Sequence, residues 1–273
     1  MNESKYKLLV VDIDGTILDT NNSISDIDKQ ALNKVVDSGI PVALSTGRVV
    51  QASLRFLKQL ELGGYHMFFD GALVYSLEKN EEVYVDSISA EIIGEMIEFS
   101  RKILLDFDLY SITHFFAERE SRATEIRRDF FKLDATIVDF REIQHKERFI
   151  KGTLVVSTAE EKQKARNFID HFSDRLNFSW TKTPAYPDVD FINIIANDVS
   201  KGKALRALTS FMGISMDEVA AIGDGMNDIP LLTSSGLAIA MANAPDEVKA
   251  IADHVTLDVD HQGVAEAVRR YIL

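Results

Sequence analysis

Short apolar runs, each ending in a polar turn and most leading into an amphipathic helix, set the strongest limit on how this chain can fold. "KLLVVDID" at 7–14 reads as a strand buried on both faces. After a loop through Asn21 and Asn22, Ser25 caps a helix with Ile27, Ala31, Leu32, Val35 and Val36 on one face and Gly39 at its end. "IPVALST" is a second strand, Arg48 to Leu60 a second helix closed by Gly63-Gly64, and "HMFFD" a short third strand. Strand and helix alternating in this way call for a parallel sheet with right-handed crossovers. The rhythm returns in the last third with "FINIIA" as a strand, Lys201 to Met212 as a helix and "EVAAIGD" as a strand. A helix over Ile229 to Ser234, the strand "GLAIAM", a helix over Pro245 to Ala252, the strand "HVTL" and the helix "GVAEAVRRYIL" complete it.

The middle third reads differently. Helices such as "SAEIIGEMIEFSRK" and "AEEKQKARNFIDHF" lie among strands such as "GTLVVST" and "NFSWTK", and "TPAYPDVD", with two prolines, reads as a return linker. The expected fold is α/β, a Rossmann-like parallel-sheet core over residues 1–84 and 189–273 interrupted by an inserted α+β domain over 85–188.

Composition narrows the function. The 43 acidic residues against 30 basic ones leave a net charge of −13, which argues against a nucleic-acid partner but leaves room for a small phosphorylated ligand. The apolar runs are too short to span a membrane, so a cytoplasmic protein, monomer or weak homodimer, is expected. With no cysteine there is no disulfide or thiolate site, and the six histidines show no zinc-ligand spacing.

Chemistry concentrates at strand ends. In "DIDGT" the carboxylates of Asp12 and Asp14, two apart, leave the first strand on the same side, at the carboxyl edge where open α/β sheets bind ligands. "ALSTGR" ends the second strand in Thr46 and Gly47 at a helix start, where free N–H groups suit an anion. "VSKGKAL" places Lys201 at the start of a helix, and "AIGDGMNDIPLL" ends a strand in Asp224, Asn227 and Asp228.

In this order the four pieces resemble the motifs of the haloacid dehalogenase-like phosphohydrolases, in particular the Cof-like sugar-phosphate phosphatases with a large α/β cap between the second and third motifs. The resemblance covers the core, while the cap matches only in size and position. It implies a Mg²⁺-dependent phosphatase for phosphate monoesters of small metabolites, sugar phosphates foremost, working through a phosphoaspartate. Asp12 would attack phosphorus, and Asp14 would protonate the leaving oxygen and then take a proton from water. Mg²⁺, a hard ion that prefers oxygen, would be held by Asp12, Asp224 and the backbone carbonyl of Asp14. Lys201 would balance charge, Thr46, Gly47, Lys201 and Asn227 would grip phosphoryl oxygens, and Asp228 would stand one shell out. The inserted domain would lie over the carboxyl edge as a lid. A phosphomutase of the same architecture and a non-catalytic phosphometabolite-binding protein remain alternatives.

One position departs from the family. Relatives often carry Asn-Gly-Ala after the third strand, whereas this chain has Asp70 in "FDGALVY". A role in shaping the turn ahead of Gly71 is favoured over a role facing substrate, since Asp and Asn both serve in turns.

Overall fold

A computed structural model describes residues 5–19, 23–131, 133–183 and 186–273. The expected loop at Asn21 and Asn22, and Pro184 and Ala185 of the expected linker, lie outside the described residues. The chain forms two compact units, one from residues 1–48, 53–85 and 200–273, the other from 49–52 and 86–199.

The first unit is built on an eight-stranded sheet. In spatial order its strands are His254–Val255, Leu237–Ala240, Val219–Gly223, Leu8–Asp12, Val42–Ser45, His66–Phe68, Leu73–Ser76 and Glu81–Val85. The first six run parallel, as the strand-helix rhythm requires. The last two are antiparallel additions at the edge, a pairing the sequence reading did not assign. Leu8–Asp12 lies between Val219–Gly223 and Val42–Ser45, and all five of its residues are buried. Buried on both faces, it explains the unbroken aliphatic run that opens the chain. The helix Asp26–Asp37 is capped by Ser25, whose hydroxyl accepts from the N–H groups of Ile27 and Asp28. Leu8, Val10, Ala43, Val219 and Ala221 pack with Ala204, Leu205 and Leu208 of the helix Lys201–Met212.

The second unit is α+β. Its six-stranded sheet runs Leu176–Thr183, Tyr186–Ala196, Lys151–Val156, Asp108–Tyr110, Phe115–Ala117 and Thr136–Ile137, antiparallel except for the last pair. The helices Ala90–Ile103 and Ala159–Phe172 bury Ile93, Met96, Ile97, Phe168 and Phe172 against Leu154, Val156, Ile192 and Ile194.

That sheet corrects one expectation. "FINIIA" is not a core strand; it is the second half of Tyr186–Ala196, paired antiparallel with Leu176–Thr183 and Lys151–Val156. A run of apolar residues reports burial without naming the sheet that buries it, and here Ile192 and Ile194 are buried while Asn193 and Ile195 are only half-buried. The linker reading of "TPAYPDVD" changes with it, because Tyr186 already belongs to this strand. The register shifts beside Thr183, and Pro187 falls in the irregular stretch, where a missing N–H is tolerated. The boundary between units therefore falls after residue 199 rather than after 188. Among the described residues, no helix is long and apolar enough to cross a membrane.

Candidate active site

Strand register brings the sequence motifs to one edge of the first unit's sheet. Asp12 is paired with Ser45, and Val11 with Ile222, so Thr46 and Gly223 follow directly on either side of the first strand's end. The helix Lys201–Met212 begins at the same edge, with Ser200 as its N-cap accepting from the N–H of Lys203. Gly71, at φ +96, lets the backbone of Ser200 and Lys201 come close; a Cβ there would lie 2.4 Å from the Ser200 carbonyl oxygen.

Lys201 is fully buried at the centre of the arrangement. Its Nζ donates to Asp12 Oδ1 at 2.5 Å, to Asp228 Oδ1 at 2.5 Å and to the Ser45 carbonyl at 3.4 Å. Burial by itself would lower the lysine's pKa, but the Asp12 and Asp228 carboxylates outweigh it and raise the value above the ordinary lysine range. Asp228, also fully buried, spends its other oxygen on the N–H groups of Asp224, at 3.0 Å, and Gly225, at 2.8 Å. One carboxylate thus fixes both the lysine and the turn that carries Asp224.

The turn after the first strand completes the site. Gly15, at φ +84, crosses so near Asp224 that a Cβ would lie 2.3 Å from Oδ2. The Thr16 hydroxyl donates to Asp224 Oδ1 at 2.9 Å. Asn243 donates to the Gly15 carbonyl at 2.8 Å and to Asp224 Oδ2 at 3.3 Å. Asp14 is half exposed, and its carboxylate is gripped at both oxygens by Arg48: Nε to Oδ2 at 2.8 Å and Nη2 to Oδ1 at 2.5 Å. The Thr46 hydroxyl is buried and its oxygen accepts from the N–H of Arg48. Gly47 and Asn227 meet at Asp70, whose Oδ1 accepts from Asn227 Nδ2 at 2.9 Å. All eight residues singled out by the motifs therefore lie along this edge.

Oxygen atoms of Asp12, Asp224 and Asp228 come within 4.8 Å of one another. Burial, followed by the charge of Asp228, holds the Asp12 carboxyl well above the usual carboxylate range, although Lys201 pulls the other way. Burial likewise raises Asp224 to about 6, opposed by the hydrogen bond from Thr16. An all-oxygen donor set with a surplus of negative charge fits a hard divalent cation such as Mg²⁺. The two oxygens of Asp228 already serve Lys201 and two backbone N–H groups, which suits a supporting role better than a ligand's.

Three participants had gone unassigned in the sequence. Arg48 stands next to Gly47, Thr16 completes "DIDGT", and Asn243 follows the strand Leu237–Ala240. Their shared signal is position just beyond a strand's carboxyl end, visible once the sheet is known. Arg119, by contrast, pairs with Asp106 on the exterior of the second unit.

Comparison with known proteins agrees with this geometry. A family model described as haloacid dehalogenase-like hydrolase matches residues 9–268. The chain is 27% identical over 271 residues to the 5-amino-6-(5-phospho-D-ribitylamino)uracil phosphatase YcsE of Bacillus subtilis, covering 98% of this chain and 96% of that protein. A solved haloacid dehalogenase-like hydrolase from Bacteroides thetaiotaomicron superposes with a TM-score of 0.85 at 26% identity, over 97% of this chain and 99% of that one. The subclass IIB sugar phosphatase BT4131 shares the fold, with a TM-score of 0.78 at 24% identity, over 97% of this chain and 98% of that one. With the model spanning nearly the whole length and the motifs gathered at one sheet edge, the chain belongs to the haloacid dehalogenase-like hydrolase family, among its Cof-like phosphatases.

Proposed function

We propose that this chain hydrolyses phosphate monoesters of small metabolites, sugar phosphates foremost, with Asp12 as nucleophile and Mg²⁺ as cofactor. One observation carries the reading: a single buried ammonium, Lys201 Nζ, stands 2.5 Å from oxygens of both Asp12 and Asp228. Lys201 occupies Asp12 Oδ1 and so leaves Oδ2 to attack phosphorus. As the Asp12–phosphorus bond forms, the bond to the alcohol oxygen breaks, and Asp14 supplies that oxygen's proton. In the second step Asp14 accepts a proton from the water that attacks the phosphoaspartate, and phosphate leaves with Asp12 restored. The Thr46 hydroxyl, the Gly47 backbone and the Asn227 amide are proposed to hold the phosphoryl oxygens.

Asp12, Asp224 and the Asp14 carbonyl would hold Mg²⁺, which when bound neutralises charge on the phosphoryl group and the carboxylates. The second unit, residues 86–199, is proposed to contribute to choosing the alcohol. The substrate class is tested by following phosphate release from a panel of phosphorylated sugars, nucleotides and cofactor precursors with and without Mg²⁺. Metal-dependent hydrolysis that Asp12→Asn abolishes supports the assignment. Equal turnover by that variant ends it.

A further inference from the structure

Asp70 does more than shape a turn. It occupies the left-handed region, with φ 57 and ψ 25, and its N–H donates to the Thr46 carbonyl at 3.0 Å, as a turn residue's should. Its carboxylate is not consumed by that turn. Oδ1 accepts from Asn227 Nδ2 at 2.9 Å, and the two oxygens would stand 2.7 and 2.9 Å from a Cβ placed on Gly47. An anion therefore sits beside two groups assigned above to phosphate, Gly47 and Asn227.

That position is unfavourable for a phosphate site unless it discriminates. Hydrogen bonding to Asn227 could be supplied by a neutral amide, so the charge itself calls for a reason. A carboxylate beside the ester repels any second anion on the alcohol, accepts hydrogen bonds from hydroxyl groups and attracts an ammonium. Building on the phosphatase reading, we propose that Asp70 is a specificity-determining residue of the first unit, one that selects monoesters of neutral or cationic alcohols and rejects alcohols carrying a second phosphate or a carboxylate.

Asn in place of Asp isolates the charge, because the Asn Oδ1 can still accept from Asn227 and Asn also tolerates the left-handed region. The test compares wild type with Asp70→Asn on a hexose monophosphate, the matching hexose bisphosphate and an aminohexose monophosphate, all with Mg²⁺. Loss of phosphate is scored only at the position that the three share, so ratios of kcat/KM report the alcohol alone. A like charge about 6 Å away at an effective dielectric near 40 corresponds to about tenfold in affinity. Asp70→Asn is expected to raise the bisphosphate-to-monophosphate ratio by about that factor and to lower the preference for the amino sugar. Calorimetric titration with inorganic phosphate gives an independent readout, in which the variant binds more tightly than wild type. Unchanged ratios together with unchanged phosphate binding overturn the proposal and leave the phosphatase reading intact. A wild type that binds phosphate without hydrolysing any probe, while Asp70→Asn binds it more tightly, keeps the anion's role and removes the phosphatase reading. Failure of both proteins to bind phosphate and to turn over any probe removes both.

Discussion

Arg48 holds the Asp14 carboxylate at two points, Nε to Oδ2 at 2.8 Å and Nη2 to Oδ1 at 2.5 Å. A bidentate guanidinium fixes the plane of the carboxyl group. In the proposed mechanism that grip orients Asp14 to take the proton of the water that attacks phosphoaspartate.

Arg48→Ala is accordingly expected to slow the second step most. General acid–base groups are worth about 10²–10⁴-fold, and loss of Asp14's orientation should remove about 10²-fold of kcat. Rapid mixing should then show a burst of alcohol without a matching burst of phosphate, and Arg48→Lys, which keeps charge but not the two-point grip, should recover only part of the rate. Unchanged kcat with no burst would contradict this assignment.

Lys201 makes a different prediction because it is buried with two carboxylates. Lys201→Met leaves Asp12 and Asp228 without a cation, and breaking a buried pair costs about 3–5 kcal/mol. Urea melts should report that loss at pH 7 and a smaller one at pH 5, where the stranded Asp12 carboxyl, raised by burial, takes up a proton. Asp12→Asn should leave a folded protein whose turnover has fallen by about 10³-fold or more.

Gly15→Ala should act on the metal through a neighbour. Both its φ of +84 and the 2.3 Å approach of the new Cβ to Asp224 Oδ2 oppose the substitution, so Asp224 is displaced. Saturating Mg²⁺ at about 100 times Kd should stabilise the wild type by about 2.7 kcal/mol, read as a rise in Tm, and Gly15→Ala should lose most of that rise.

Acid stability should depend on His66. The ring is buried, its Nδ1 accepts from the Leu44 N–H at 3.1 Å, and burial depresses its pKa to about 4. The unfolded chain binds a proton near pH 6.5 while the folded protein does not, so stability present above that pH is lost as pH falls towards 4. A shift of this size corresponds to about 3 kcal/mol. Asp28, which burial raises to about 6, works in the opposite direction over part of this range, so the measured quantity is the difference between wild type and His66→Asn. That difference should narrow as pH drops from 7 to 4.

Much of this was legible in the sequence because the informative residues obey local rules. The strand tips at Asp12, Thr46 and Asp224 follow from aliphatic runs that stop abruptly at polar residues, and Ser25 and Ser200 cap the helices they precede. "FINIIA" sits elsewhere because an apolar run also suits a strand with one buried face, Ile192 and Ile194, and one half-buried face, Asn193 and Ile195, and only the pairing of Phe191 with Val155 and Ile194 with Gly152 tells the sheets apart. Arg48, Thr16 and Asn243 stayed unassigned for a related reason: polar residues in loops mean little until strand order says which loops meet. Asp70 was half read, its turn correctly favoured, its carboxylate's reach to Asn227 hidden by 157 residues of separation.

The first strand lies inside the sheet, yet one of its two neighbours, Val219–Gly223, is made some two hundred residues later. Until that segment leaves the ribosome, Leu8–Asp12 presents an unfilled aliphatic edge to the cell, the kind of surface that invites wrong pairing. The order in which the strands are made therefore predicts slow completion of the sheet, and a circular permutant that brings residues 200–273 ahead of Leu8 should fold faster, as refolding rates would show.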